Sequence, residues 1–305
     1  MKKIVVTGAT GMIGTALIKE AISQGIEVLA IVRRNSNRLT NCPCSPLIKI
    51  FHCDINDYSN IQFSGKYDAF YHLAWDKTFG AQRDDTDVQS DNIRYTLDAV
   101  KLAEELGCSA FIGVGSQAEY GIVNTPLDGN VSTNPRSGYG IAKYAAGKLS
   151  RLLCSQLKIR HCWIRILSIY GEYDAPHTLI MYCISQLLKK EKPSLTQCDQ
   201  LWDYLYCGDA ANALLAIGQN GKDGKTYCLG SGVARPLKEY IETIRNIIDP
   251  SVNLGFGEKE YYPNQPMYLC ANITDIIKDT GYVPETNFYD GITKTINWYR
   301  RTQET

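Results

Sequence analysis

The fold is decided by a stretch near the start of the chain, Lys2-Lys3-Ile4-Val5-Val6-Thr7-Gly8-Ala9-Thr10-Gly11-Met12-Ile13-Gly14. It predicts a short apolar strand, a glycine-rich turn and the beginning of a helix. Gly8 can take the positive φ of a tight turn, Gly11 lets a pyrophosphate approach the backbone, and Gly14 lets helix and strand pack closely. The first amides of the helix then face an anion. The stretch therefore predicts a dinucleotide site made by Gly8, Thr10, Gly11, Met12 and Ile13.

Composition narrows the class of protein. The chain has 305 residues, of which 44% are hydrophobic and 21% charged, as expected for a globular protein with a sizeable core. Because 32 basic residues balance 32 acidic ones, no net field favours nucleic acid or an anionic membrane. The eleven cysteines and four histidines follow neither a secreted disulfide pattern nor a metal-ligand spacing. We expect a cytoplasmic protein with reduced thiols and no metal, nucleic-acid or membrane partner.

The first half of the chain alternates strands and helices, which is typical of a doubly wound parallel sheet in the α/β class. Hydrophobic periodicity predicts strands at 4–7, 27–32, 47–52, 67–73, 110–114 and 160–166. Helices are predicted between them at 13–24, 85–106 and 140–157.

The alternation loosens after about residue 171. The sequence predicts helices at 177–190, 209–218, 236–248, 272–280 and 289–301, with one short strand at 203–206. We therefore expect a Rossmann-like dinucleotide-binding domain over 1–171. Residues 172–305 are expected to form mostly a smaller substrate-binding lobe, with some segments returning to the first domain. Such a lobe would cover the carboxyl edge of the sheet, where α/β proteins bind ligands.

A tyrosine and a lysine lie four positions apart at a helix start, in Tyr139-Gly140-Ile141-Ala142-Lys143. At this spacing the two side chains share a face of the helix. An ammonium beside a phenol favours the phenolate, so we expect the pKa of Tyr139 to fall below its ordinary value of about 10. Ser116, where the fifth strand ends, can hydrogen-bond a substrate oxygen and share the proton with Tyr139. The three side chains predict a proton-transfer site.

With these motifs in this order, the chain resembles the extended short-chain dehydrogenase/reductase family, which includes nucleotide-sugar epimerases, dehydratases and ketoreductases. The resemblance covers nearly the whole length and also implies a homodimer formed through the helices near 85–106 and 140–157. It implies that the catalytic residues are Ser116, Tyr139 and Lys143, and that the cofactor contacts include Asp54, Ile55, Leu73, Ala74, Asn92, Tyr139 and Lys143. For Asn92, fixing a proton-relaying water and packing the helix are equally good interpretations.

Several positions depart from the family pattern. Ser168 stands where many members have Asn, and Trp202 where many have an Arg that contacts the diphosphate, so the usual diphosphate clamp is in question. Gln117-Ala118 replace the Asp-Glu pair of sugar 4,6-dehydratases, which argues against dehydration because neither residue supplies an acid or a base. Glu119 is expected to be structural, turned to the other face. The candidate substrate contacts are Ser116, Gln117, Ser168 and Trp202.

The end of the second predicted strand favours one cofactor. NAD enzymes usually place an acid there to bond the ribose 2′-hydroxyl, whereas arginine attracts a 2′-phosphate. This chain has Arg33 and Arg34, then Ser36, and neither Asp nor Glu at that end. We therefore expect NADP(H), with contacts from these three residues, and NAD(H) as the alternative.

These features together predict NADP(H)-dependent reduction of a keto group on a nucleotide-linked 4-keto-6-deoxy sugar, with the proton coming from Tyr139. An NAD-dependent nucleotide-sugar 4-epimerase is the alternative within the same chemistry. A reductase of small aldehydes or flavonoid-like ketones is also compatible with the sequence. A non-catalytic dinucleotide sensor is a fourth hypothesis, although a sensor would not need to keep Ser116, Tyr139 and Lys143 together.

Overall fold

The computed structural model describes residues 1–61 and 65–303. Its strands are β1 Lys3–Thr7, β2 Glu27–Val32, β3 Ile48–His52, β4 Ala69–His72, β5 Ala110–Ser116, β6 Arg160–Ile166, β7 Ser168–Tyr170, β8 Leu201–Trp202, β9 Tyr204–Tyr206, β10 Lys225–Leu229 and β11 Arg235–Pro236. Its α-helices are α1 Met12–Ser23, α2 Thr86–Glu105, α3 Gly138–Leu157, α4 Leu179–Leu188, α5 Cys207–Asn220, α6 Leu237–Ile248, α7 Thr274–Thr280 and α8 Phe288–Gln303.

Seven of the strands form one parallel sheet, in the spatial order β10-β6-β5-β4-β1-β2-β3. The strand β1 lies inside the sheet, paired with β2 on one side and β4 on the other. The strand order reverses at this point, which opens a crevice at the carboxyl edge where ligands bind in such sheets. The doubly wound α/β fold predicted from the sequence is confirmed.

Alternation along the strands buries both faces of this sheet. In β1, Ile4 and Val6 pack with residues of α1 and α5 on one face, while Val5 packs with residues of α2 and α3 on the other. All three side chains are fully buried. Helices therefore cover both faces, as a near-continuous apolar run in a parallel strand requires.

A separate apolar cluster holds the smaller lobe together. It joins α4, α6 and α8 through buried isoleucines such as Ile184, Ile241 and Ile292. Two short strand pairs, β7 with β9 and β8 with β11, lie beside it. Among the described residues, no helix is both long and apolar enough to cross a membrane.

One strand of the seven-stranded sheet was not expected from the sequence, and neither were the short strands β7, β8 and β11 outside it. The strand β10 follows α5 and pairs with β6 at the edge of the sheet, so a segment beyond residue 171 completes the sheet. Its Lys225 and Thr226 are only half-buried, and the apolar run is limited to three residues, Tyr227, Cys228 and Leu229. So short an apolar run does not distinguish a strand from a loop.

Candidate active site

The glycine-rich turn has the geometry of an anion site. Gly8 adopts a φ of 67°, and the Gly11 amide donates to the Gly8 carbonyl oxygen at 3.1 Å. A Cβ on Gly14 would collide with the Gly8 carbonyl oxygen, so only glycine allows this approach of helix to turn. The helix α1 has no side-chain cap and no acidic residue in its first turn. Its amides, beginning with Met12 and Ile13, are left for an anion.

A cavity of about 430 Å³ lies against this turn at the carboxyl edge of the sheet. Of the residues predicted to bind the cofactor, it is lined by Gly8, Thr10, Gly11, Arg33, Ile55, Leu73 and Ala74. The other lining residues were not predicted from the sequence and are Ala9, Ile31, Val32, Arg38, Cys53, Tyr58, Trp75, Asp76, Lys77, Thr78 and Phe79. Because the turn, the free amides and the cavity coincide, these residues fit a dinucleotide.

The basic residues beside the cavity divide into two groups. The Arg34 guanidinium forms ion pairs with Asp54 and Asp57, and its backbone amide also donates to Asp54. Arg33 and Arg38 line the cavity instead. Arg34, Asp54 and Ser36 were expected to contact the cofactor, but they do not line the cavity. The Ser36 hydroxyl oxygen accepts a hydrogen bond from the Arg38 amide.

Buried polar side chains fix the loop that follows β4. The Thr7 hydroxyl oxygen accepts hydrogen bonds from the amides of Leu73 and Ala74, both at 3.2 Å. The Asn92 side chain accepts from the Asp76 amide at 2.8 Å and donates to the Asp76 carbonyl oxygen at 3.0 Å. Asn92 therefore holds a loop residue that lines the cavity and does not itself line the cavity.

The three predicted catalytic residues come from two neighbouring elements. Ser116 ends β5, and its hydroxyl oxygen accepts from the Ala118 amide at 3.2 Å. Tyr139 and Lys143 lie in the first turns of α3, which Ser137 caps by accepting from the Gly140 amide at 3.1 Å. The Ser116 side chain lowers the pKa of Tyr139, so it favours the phenolate.

The expected lowering of the Tyr139 pKa by Lys143 is wrong for this structure. Burial raises the pKa of Tyr139 above its ordinary value, with Ser116 and the charge of Arg83 acting in the opposite direction. The Lys143 ammonium donates to the Val114 carbonyl oxygen at 2.7 Å and lies 5.9 Å from the centre of the Tyr139 ring. Burial lowers the pKa of Lys143 itself to about 7. Sharing a helix face did not bring the ammonium to the phenol, because a carbonyl of β5 competes for it.

Two residues next to the candidate catalytic group were missed by the sequence analysis. The Trp75 ring lies edge-on to Tyr139, and the Lys143 ammonium sits 3.8 Å from its centre. The Arg83 guanidinium lies 4.5 Å from the centre of the Tyr139 ring. The position of Trp75 directly after the segment 72–74 at the end of β4 is a sequence signal that could have identified it.

A second cavity, of about 350 Å³, lies in the smaller lobe. It is lined by Ser168 and Trp202 from the predicted substrate set, and the Trp202 indole N–H donates to the Ser168 hydroxyl oxygen at 2.8 Å. Gln200 also lines it, is 4% exposed, and has a side-chain oxygen without a partner among the described residues. Gln117, also predicted to contact substrate, is half-buried in a turn of 3₁₀ helix and lines neither cavity.

Within residues 1–61 and 65–303, no three His, Cys, Asp or Glu side chains are grouped so that they could hold a metal ion. All eleven cysteines are free thiols.

Comparisons with known proteins show which family the chain is similar to. The NAD dependent epimerase/dehydratase family matches residues 4–230. A dTDP-glucose 4,6-dehydratase from Escherichia coli is 26% identical, over 99% of this chain and 94% of its own length. A CDP-abequose synthase from Salmonella muenchen is 25% identical, over 97% of each chain. The crystal structure of a UDP-glucuronic acid 4-epimerase from Bacillus cereus, in complex with NAD, superposes with a TM-score of 0.85 at 20% identity, covering 98% of this chain and 99% of that one.

The family match spans most of the chain, and the similar proteins match it over almost their full length. The resemblance to the extended short-chain dehydrogenase/reductases is thereby confirmed. The chain belongs to the NAD-dependent epimerase/dehydratase family, whose members are NAD(P)-dependent enzymes that modify nucleotide sugars.

Proposed function

We propose that the enzyme uses NADPH to reduce a keto group on a nucleotide-linked 4-keto-6-deoxy sugar. The observation that carries this proposal is the protonation state of the Tyr139 phenol. Burial raises its pKa, so the phenol holds its proton at neutral pH. A reductase needs a proton donor of this kind beside the carbonyl oxygen that becomes a hydroxyl.

Each residue of the site has one task in this reaction. The bound nicotinamide supplies the hydride. Ser116 donates a hydrogen bond to the substrate oxygen and stabilises the negative charge that develops there. Tyr139 protonates the same oxygen. Lys143, with a pKa of about 7 and its ammonium 5.9 Å from the centre of the Tyr139 ring, is a second group of the site that can hold a proton.

The cofactor preference is proposed from the arginines. The adenosine end of the cavity has Arg33 and Arg38 on its lining, and Arg34 is held by two aspartates. A 2′-phosphate would bind between the guanidinium groups of Arg33 and Arg38, which form no ion pair with any residue that the structure describes. No acid lies at the described carboxyl end of β2 to accept a ribose 2′-hydroxyl.

The cavity of the smaller lobe supports a nucleotide as the handle of the substrate. Aromatic side chains of Trp202, Tyr182 and Tyr204 line it, which suits a planar base. Lys259 also lines it and offers a cation for the diphosphate in place of the arginine that many members have at position 202. The unpartnered Gln200 oxygen can accept an N–H of the base.

The test is a screen of nucleotide-linked 4-keto-6-deoxy sugars with NADPH and with NADH, followed by identification of the product. We expect oxidation of NADPH in step with formation of a reduced sugar. Turnover of none of these sugars, or a clear preference for NADH, contradicts the proposal.

A 4-epimerase is the second candidate, supported by the similarity to the UDP-glucuronic acid 4-epimerase from Bacillus cereus, whose structure contains NAD. Purified protein that carries tightly held NAD and interconverts two nucleotide sugars without net oxidation would establish it. The homodimer and the cytoplasmic location expected from the sequence stay predictions.

A further inference from the structure

A carboxylate lies completely buried directly beneath the candidate catalytic serine. Glu119 has no exposed surface. Its Oε1 accepts hydrogen bonds from the Ser116 backbone amide at 2.9 Å and from the Trp163 indole N–H at 3.0 Å. Its Oε2 accepts from Arg165 Nε at 2.7 Å, in an ion pair whose side chains are 1% and 4% exposed.

The partners of Glu119 are themselves held firmly. A Cβ on Gly113, Gly115 or Gly147 would collide with the Trp163 ring, so three glycines form the slot that contains the indole. The Arg165 guanidinium lies 4.5 Å from the centre of the Tyr120 ring, and its Nη1 has no partner among the described residues. The carboxylate therefore meets fixed donors on β6 as well as the last amide of β5.

Stability alone is a weak reason for this arrangement. Removing two charges from water is costly, and hydrophobic residues of similar volume often serve a core as well or better. The turn that Glu119 closes carries a candidate catalytic residue: Ser116 and Glu119 form a reciprocal capping box over residues 116–119. A role at the site explains why a charge is placed there.

We propose that Glu119 is a positioning residue for the reaction, because it fixes the backbone of Ser116 and places a negative charge behind the Ser116, Tyr139 and Lys143 group. The bond to the Ser116 amide holds the serine at the end of β5, where its hydroxyl interacts with Tyr139. Precise placement of such groups is worth large factors in rate. From the sequence alone, Glu119 was expected to have only a structural role.

The charges around the group indicate what the carboxylate does there. Arg83 lies over the Tyr139 ring, Arg165 pairs with Glu119, and Lys143 is buried without an acidic partner among the described residues. Glu119 raises the pKa of Lys143 against the effect of burial, and it also raises the pKa of Tyr139. Both effects keep protons on the two residues at neutral pH.

Two variants separate the charge of Glu119 from its reach. Glu119→Gln keeps the length of the side chain and removes the charge, whereas Glu119→Asp keeps the charge and shortens the side chain. The surface substitution Glu105→Gln is the matched control, because Glu105 is exposed at the end of α2. A fourth protein, Glu119→Gln with Arg165→Met, removes both buried charges and guards against misfolding caused by an unpaired Arg165.

The first readout needs no substrate. Lysines labelled with ¹³C at Cε are titrated by NMR, and the Lys143 signal is assigned by its loss in Lys143→Met. We expect the pKa of Lys143, about 7 in the unchanged protein, to fall by about half a unit or more in Glu119→Gln and to stay near its original value in Glu119→Asp. An unchanged Lys143 titration in both Glu119→Gln and the double variant overturns the proposal.

The second readout rests on the proposed function and uses whichever substrate the enzyme turns over. We expect kcat to fall about tenfold to a hundredfold in both single variants, with KM for NADPH changed by less than about threefold. The basic limb of the pH–rate profile should move to lower pH only where the charge is lost. Folded variants with a normal kcat and an unchanged basic limb of the pH–rate profile contradict the inference about Glu119. If the original enzyme reduces no nucleotide sugar, the proposed function is contradicted, and the NMR titration of Lys143 then decides the inference.

Discussion

The cofactor cavity and the cavity of the smaller lobe are built by different means. At the cofactor end, most lining residues lie at or just after the carboxyl ends of β1, β2, β3 and β4, in the segments 8–11, 31–33, 53–58 and 73–79. At the end in the smaller lobe, the walls are side chains from separate segments between residues 168 and 265. The shape of the first cavity is set mainly by the backbone path after the strands. The shape of the second is set mainly by the identity of the side chains that line it.

This difference separates what the fold requires from what specificity requires. Gly8 and Gly14 cannot be exchanged without changing the backbone itself. Trp202 and Ser168 replace an arginine and an asparagine found in many members, yet they bond to each other and leave the sheet intact. Chemistry can therefore be kept at one end while the substrate changes at the other.

Removing the proton donor at the catalytic group should have the largest effect. We expect Tyr139→Phe to lower kcat by about 10² to 10⁴, because a positioned acid contributes that much, while KM for NADPH stays nearly constant. Stopped-flow measurement of NADPH oxidation and fluorescence titration of NADPH check the two parts. A near-normal rate in this variant would contradict the assignment of Tyr139 as the proton donor, since another group must then donate the proton.

The same contrast decides how much could be predicted from the sequence. The positions of Gly8, Ser116 and Tyr139 follow from short motifs, because each lies where a strand ends or a helix begins. The direction of the Lys143 ammonium did not follow, because the Val114 carbonyl oxygen and the Trp75 ring come from other elements. Contacts between side chains distant in sequence leave no local pattern to recognise.

In the smaller lobe, even fewer of the site residues could be predicted from local sequence patterns. Ser168 and Trp202 were selected because they depart from a family pattern, and both line the second cavity. Gln200 and Lys259 follow no motif, and only the folded structure shows that both line one cavity. Lys259 is held beside it by its backbone amide, which donates to the Leu195 carbonyl oxygen at 2.9 Å. Edge elements such as β10 were missed for the related reason that two half-buried residues and three apolar ones give no clear periodicity.

Replacing Gln200, whose buried side-chain oxygen has no hydrogen-bond partner among the described residues, should have the next largest effect on the kinetics. Gln200→Leu should raise KM for the nucleotide sugar by about tenfold to a hundredfold, because an N–H of the base would lose its partner in a buried site. We expect kcat to change little, since Gln200 lies in the cavity of the lobe and lines no part of the cofactor cavity. Gln197→Leu is the control, because Gln197 is exposed and does not line the cavity. A fall in kcat with unchanged KM would mean that the two cavities do not divide the work in this way.

Substitution of Arg33 and Arg34 tests whether side chains at the cofactor cavity determine the preference for NADPH. Arg33→Ser should raise KM for NADPH about tenfold, because a charge-assisted bond to the 2′-phosphate is lost, and should leave KM for NADH nearly unchanged. Arg34→Ser is the matched comparison and should have the smaller effect, since Arg34 is held by Asp54 and Asp57. Equal losses with both cofactors, or a larger loss in Arg34→Ser, would contradict the assignment.

The smallest effects should appear in stability, where two buried histidines of the sheet and one aspartate of the lobe respond to acid in opposite directions. In the sheet, burial lowers the pKa of His72 to about 3 and of His161 to about 4. The unfolded chain therefore takes up protons below about pH 6.5 that the folded protein refuses, and the free energy of unfolding falls by at most about 1.4 kcal/mol per pH unit for each histidine. In the lobe, burial raises the pKa of Asp174 to about 6, so the folded protein takes up that proton first and acid favours folding there. Urea unfolding at pH 7, 6 and 5 should show a shallower loss in His161→Gln and a steeper loss in Asp174→Asn. Identical slopes in both variants would mean that neither region's burial controls the response.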